Sequence, residues 1–225
     1  FNHLPQILYN IIDLSEVWAL IIPLSFIFPI AGLKRWQKPV VSYLVIALVL
    51  NVLSGLITNG NHLPFQLPLK NNLVFYNIHS ILRFICFSYF FLGLKQKYFK
   101  KPRRLIPFIY LAFLILDLTF SENFFDATQI RSRVFTVEAF LLLCYCLLYY
   151  LSKLKNDSDE ISYGAEIYIV TGLSIFIVIN FFIFLFYDSL MNTDPGLADK
   201  SWTVHNIGYI IFCLLVARGF YLAGS

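Results

Sequence analysis

Charge is what this sequence lacks most. Only 13% of its 225 residues are Asp, Glu, Lys or Arg, against 59% hydrophobic residues, and the mean hydropathy is +0.72. A water-soluble domain carries about 25% charged residues, so a soluble globular core is excluded and lipid is the expected solvent. Cysteine is scarce as well. Cys86, Cys144, Cys146 and Cys213 all fall inside hydrophobic runs, and none has the spacing of a metal knuckle or a secreted disulfide framework. Cys144 and Cys146 stand two apart, off a common helical face, and act as small apolar fillers. The first residues hold no basic segment followed by a cleavage site, so no signal peptide is expected within them.

Whole classes of local motif are missing too. There is no Ser-His-Asp spacing and no glycine-rich phosphate loop. The Glu-x-x-His pair that di-iron bundles place on one helix is absent. The last hydrophobic run has no lysine at mid-depth, which argues against a retinal Schiff base. The loop after the third run lacks the Asp-Arg-Tyr triplet of animal heptahelical receptors, and the outer loops lack paired cysteines. The net charge of +4 does not point to nucleic acid, because the basic residues sit in short loops beside hydrophobic runs, where they orient a protein in a bilayer.

What remains is apolar length. A helix needs about 20 mostly apolar residues to cross a bilayer. Runs at 11–33, 39–58, 72–94, 104–120, 133–151, 166–187 and 202–222 qualify, the fourth being the shortest. Residues 1–225 are therefore expected to form a single all-α domain, a bundle of seven transmembrane helices with no soluble domain. The 24 Phe and 14 Tyr fit this, since amphipathic aromatic side chains suit headgroup depth. Lys34, Arg35 and Lys38, then Lys95 to Arg104, then Lys153 and Lys155 place eleven basic residues in the odd-numbered loops. Lys70, Arg131, Arg133 and Lys200 place four in the even-numbered loops. The positive-inside rule puts the N-terminus outside and the C-terminus in the cytoplasm. Asp157, Asp159 and Glu160 are a solvated acidic cluster in the fifth loop.

Ionisable residues inside apolar runs are costly and default to functional candidates. In order they are Glu16, Asn51 and His79 on the first three runs, and Glu138, Asn180 and His205 on the last three. The same order, Glu, Asn, His, occurs twice at similar intervals. Tyr76-Asn77-Ile78-His79-Ser80-Ile81 also parallels Trp202-Thr203-Val204-His205-Asn206-Ile207. This predicts a 3+1+3 architecture, two like-oriented triple-helix repeats joined by the fourth helix. At about 1.5 Å per residue, all six groups lie roughly 5–11 Å below the outer boundary. They can meet if they face the interior.

Glu16, His79, Glu138 and His205 are a reasonable ligand set for zinc, iron or manganese. Asn51, Asn180, Tyr76, Trp202 and Arg83 would line the same pocket. Haem between His79 and His205 ranks lower, as the acids have no role in it. A proton-coupled solute is a third possibility. The parallel 3+1+3 plan resembles sugar transporters of the SWEET type, but helices 5 and 6 lack the bending prolines that Pro23 and Pro29 supply in helix 1. The bland alternative is a set of mutually satisfied polar groups that hold helices together. Arg83 is expected to pair with Asp117 or with an acid of the cluster, or to line the pocket floor. Arg218 is expected to snorkel to headgroups. Asp126, Asp188, His3 and His62 are expected to be hydrated.

The size, the seven runs, and the segments His79-Ser80-Ile81-Leu82 and His205-Asn206-Ile207 resemble small heptahelical membrane proteins abundant in Bacteroidota. The resemblance covers most of the chain and implies a location only, a bacterial inner membrane. The expected function is a sensor or receptor-like protein with an outward-facing, metal-binding pocket, signalling through a membrane or cytoplasmic partner such as a kinase. The alternative is an intramembrane metal-dependent hydrolase or oxidase with Glu16 or Glu138 as general base, and a transporter comes third.

Overall fold

The computed structural model describes residues 11–12, 14–28, 30, 32–58, 73–120, 131–155 and 164–224, apart from the side chains of Phe120 and Pro195. His3, His62, Lys70, Asp126, Asp157, Asp159 and Glu160 lie outside them. The described residues form seven helices: α1 (Ser15–Ser25), α2 (Gln37–Thr58), α3 (Leu73–Gly93), α4 (Lys100–Phe120), α5 (Ser132–Leu154), α6 (Glu166–Thr193) and α7 (Pro195–Gly224). Five of them, α2, α3, α5, α6 and α7, are long and apolar enough to cross a membrane. The chain is therefore an all-helical, multi-pass membrane protein in its composition and its helix lengths.

The ends of the helices differ from the apolar runs for local reasons. α1 is shorter than its run. Pro23 has no N–H to give to the preceding turn, and the chain beyond it tightens into successive turns, Phe26 N to Pro23 O and Ile27 N to Leu24 O. α7 is longer than its run and starts on the polar segment before Trp202. Asp194 is the reason. It ends α6, and its carboxylate accepts the Leu197 N–H at 3.1 Å, capping the first turn of α7. Pro195 takes the first helical position, where no N–H is needed. α4 begins in the basic segment at Lys100, just after Phe99 turns the backbone left-handed at φ 59°.

Helix adjacency defines a ring. α1 packs on α2, α2 on α3, α3 on α5, α5 on α6, α6 on α7, and α7 returns to α1. α4 lies outside this ring against α3 and α5. Its Leu105, Phe108, Leu111, Ile115 and Leu116 are exposed, so most of its apolar surface is not covered by the ring. Between α6 and α7 the backbones approach closely. A Cβ at Gly172 would stand 2.9 Å from Leu215 Cβ and 3.2 Å from the Phe212 carbonyl oxygen. One at Gly219 would stand 2.9 Å from the Ala165 carbonyl oxygen. Small residues at helix crossings are a main source of packing energy in lipid, where no hydrophobic force drives helices together.

Aromatic rings fill the middle of the ring. Tyr43, Phe87, Phe176 and Phe212 are all fully buried. Tyr43 touches Phe87 at 5.0 Å and Phe212 at 6.1 Å between ring centroids, and Phe176 stacks on Phe212 at 5.7 Å. Closer to the basic loops, Phe91 of α3 stacks flat on Tyr145 of α5 at 4.9 Å. The Tyr145 hydroxyl donates to the Arg103 carbonyl at 3.0 Å, which ties the start of α4 to the ring. The four cysteines are free, three of them buried.

Candidate functional site

Two polar clusters occupy the interior on the side of the aromatic layer away from the basic loops. The first is built around Glu16, in the opening turn of α1. One carboxylate oxygen accepts the Tyr76 hydroxyl of α3 at 3.0 Å. The other lies 3.6 Å from Nε2 of His205 on α7. The Glu16 backbone carbonyl accepts the Asn51 side-chain amide of α2 at 2.6 Å. Across the imidazole, His205 Nδ1 meets Asn180 Oδ1 of α6 at 2.5 Å. A hydrogen bond to Nδ1 fixes the ring plane and leaves Nε2 directed at the acid. Trp202 stacks on His205 at 4.8 Å, and Tyr76 meets Trp202 edge-on at 5.6 Å. Five helices thus supply one continuous polar and aromatic cluster.

The second cluster is centred on Glu138 of α5, which is fully buried. Arg83 of α3 grips it with two bonds, Nε to Oε1 at 2.5 Å and Nη2 to Oε2 at 2.8 Å. The Ser80 hydroxyl, one turn before Arg83, donates to the same carboxylate. Such a bidentate pair is the strong form of the guanidinium–carboxylate contact. The guanidinium also lies over the Phe176 ring at 5.4 Å. Arg83 therefore pairs with the acid of α5. Asp117 is taken by Arg131 at 3.1 Å, near the point where the Arg131 N–H reaches Asn77 Oδ1 at 3.3 Å. Asp188, expected to be hydrated, accepts the Ser132 hydroxyl.

His79 belongs to neither network. Its ring lies parallel to Tyr43 at 5.6 Å, and its buried Nε2 has no hydrogen-bond partner among the described residues. The expected ligand set of Glu16, His79, Glu138 and His205 is thus divided. Glu16 and His205 stand together, Glu138 is held by Arg83 and Ser80, and His79 stacks apart. Among the described residues, no three His, Cys, Asp or Glu side chains form a group that could hold a metal ion. The physical reason is Glu138: a carboxylate with both oxygens on a buried guanidinium is already neutralised, and leaving it would strand the arginine.

Of the lining residues expected from sequence, Tyr76, Trp202, Asn51 and Asn180 gather at Glu16 and His205. Arg83 stands in the second cluster. Ser80, Tyr43 and Phe176 were not singled out beforehand. Ser80 carried a usable signal, being three residues from Arg83 and so on its helical face. Tyr43 and Phe176 carried none among so many aromatic residues. No protein-family model matches the chain, and no curated protein and no solved structure matches it.

Proposed function

We propose that the chain is a multi-pass membrane sensor or receptor-like protein whose input site is the cluster around Glu16 and His205. The carrying observation is that Glu16, on the shortest helix, is touched from α2, α3 and α7 at once. A ligand that takes over this carboxylate changes how α1 is held, and α1 leads directly into the basic loop containing Lys34 and Arg35. That is a mechanical route from a polar input to the opposite end of the molecule, where a separate partner would receive it. A carboxylate flanked by Tyr76 and Trp202 rings suits a small cationic or amine-bearing ligand, because ring faces attract cations as the acid does.

Seven spans, with α1 and α4 completing the count, an external N-terminus, and location in a bacterial inner membrane are part of the same proposal. The ring order supports the 3+1+3 repeat. Exchanging α1, α2 and α3 for α5, α6 and α7 maps every ring neighbour onto another, with α4 left outside. Orientation has a direct check. A fluorescent protein fused after Ser225 should fold and fluoresce, and alkaline phosphatase fused there should stay inactive. The opposite pair of results removes the orientation.

The ligand test uses purified protein and a panel of amines and quaternary ammonium compounds, read by thermal shift. At least one compound should raise the Tm of the wild type and leave that of Glu16→Gln unmoved, with His205→Asn weakened by about tenfold or more. Compounds that shift wild type and Glu16→Gln equally would defeat the proposal. The metal-dependent readings, sensor or hydrolase, need Glu138 to exchange Arg83 and Ser80 for the ion. Elemental analysis of wild type beside Glu16→Ala and His79→Ala decides them, and a metal-free wild type retires them. Transport is disfavoured by the buried aromatic layer of Tyr43, Phe87, Phe176 and Phe212 across the bundle.

A further inference from the structure

The basic end of the molecule has its own architecture, separate from the polar clusters. The short connection from α3 to α4 borders an open hollow of about 510 Å³ lined by Lys95, Gln96, Lys97, Lys100, Arg103 and Arg104. Five cations around one hollow repel each other and favour an anionic occupant. An excess of lysine and arginine near a membrane end is ordinary, so charge alone would not carry a site. Gln96 adds an independent observation. It is only 8% exposed, and among the described residues neither its side-chain nitrogen nor its oxygen has a hydrogen-bond partner. Arg103 is 5% exposed, and its Nε is likewise unpartnered, although Nη1 reaches the Phe91 carbonyl at 2.9 Å. Buried polar groups are rarely left unsatisfied without a partner to receive them.

This hollow continues into a second cavity. Leu92 and Arg104 line both. The second is an apolar groove, also about 510 Å³, that runs between α3 and α4 past Ile85, Tyr89, Phe108 and Leu111. Those four side chains are exposed along it. From Leu92 to Ile81 the groove spans eleven helical steps, roughly 16 Å, close to one leaflet of a hydrocarbon core about 30 Å thick. The pair is therefore cationic at one end, apolar along one leaflet's depth, and open sideways, as a ligand with an anionic head and an apolar tail requires.

We propose that the α3–α4 junction is a binding site for an anionic phospholipid. Its phosphate group sits among Lys97, Lys100 and Arg104 with the Gln96 amide beside it, and one acyl chain lies along the groove. Basic pockets at the membrane end of helices recognise lipid headgroups in this way. The proposal does not depend on the input site at Glu16, which lies beyond the aromatic layer.

The test is native mass spectrometry of protein released from vesicles of equal parts phosphatidylglycerol and phosphatidylcholine. Wild type should keep one phosphatidylglycerol and lose phosphatidylcholine. Replacing Lys97, Lys100 and Arg104 by Gln should lower retention on the order of a hundredfold, from the loss of three charges near the headgroup. Leu111→Trp, which fills the groove and leaves every charge, should also lose the lipid. Replacing Arg35, Lys38 and Lys155 by Gln removes equal charge from the same end and should keep it. Thermal melts confirm that each variant is folded, and should the triple variant fail this, Leu111→Trp against wild type decides alone. Equal retention of both lipids, equal loss in the control variant, full retention in Leu111→Trp, or displacement by inorganic phosphate alone would each overturn the proposal.

Discussion

Glu138→Ala is expected to cost about 3–5 kcal/mol of stability, the usual penalty for removing one partner of a buried ion pair. Arg83 is 2% exposed and lies over the Phe176 ring, and among the described residues Glu138 is the one carboxylate bonded to it. Without Glu138 its charge is left buried and unpaired among the described residues. Arg83→Met should cost a comparable amount by stranding the carboxylate. The double variant Arg83→Met with Glu138→Leu should recover most of that loss, because replacing both members of a buried pair by apolar groups of similar volume is often neutral or better. Melting in detergent of the two single variants and the double variant measures this. A double variant that behaves as the sum of the two singles would mean that the pair is not coupled as its geometry requires. Ser80→Ala, which removes only the hydroxyl donated to Glu138, should cost about 1 kcal/mol.

Gly172→Leu should produce the second large effect, by a different mechanism. The Cβ position already meets a backbone carbonyl of α7 at 3.2 Å and Leu215 Cβ at 2.9 Å. Neither can swing aside as the end of a long side chain could. α6 and α7 must separate, and the contacts along their whole crossing weaken. Overpacking of this kind costs about 1–3 kcal/mol, and at a backbone crossing more. The same substitution at Gly55 is the control, since a Cβ there meets nothing within 4 Å. Gly55 is half-buried, but the space beside it is open, so Gly55→Leu should melt within about 0.5 kcal/mol of wild type. Helix propensity favours Leu over Gly at both positions, so equal losses would show that added bulk anywhere on the bundle, and not the α6–α7 crossing, sets the cost.

Much of this fold was legible in the order of residues. Helix positions follow from long apolar runs, and α2, α3 and α5 begin and end within a few residues of the expected limits. The ends set by local chemistry were not legible. Pro23 shortens α1, while Asp194 and Pro195 let α7 begin among polar residues that resemble a loop. Depth along each helix was also readable, because rise per residue is constant, so Glu16, Asn51, Asn180 and His205 could be placed at one level. Azimuth was not. Depth on α5 does not fix direction, and Glu138 turns toward α3 because Arg83 and Ser80 share a face there. For Arg83, sequence left three alternatives: Asp117, an acid of the cluster, or a place on the pocket floor. Arg131 settles that by taking Asp117.

The contact between α1 and α7 has a consequence for how the protein is made. Synthesis delivers α1 well before α7, so the Glu16 carboxylate is in place long before His205 exists to meet it. Until then the Tyr76 hydroxyl is its available partner, while Asn51 of α2 holds the Glu16 backbone carbonyl. The ring of helices stays an open arc until α7 is made. A chain stalled after α6 would present an unsealed flank with an acid on its lip, a distinct signature for the machinery that removes incomplete membrane proteins.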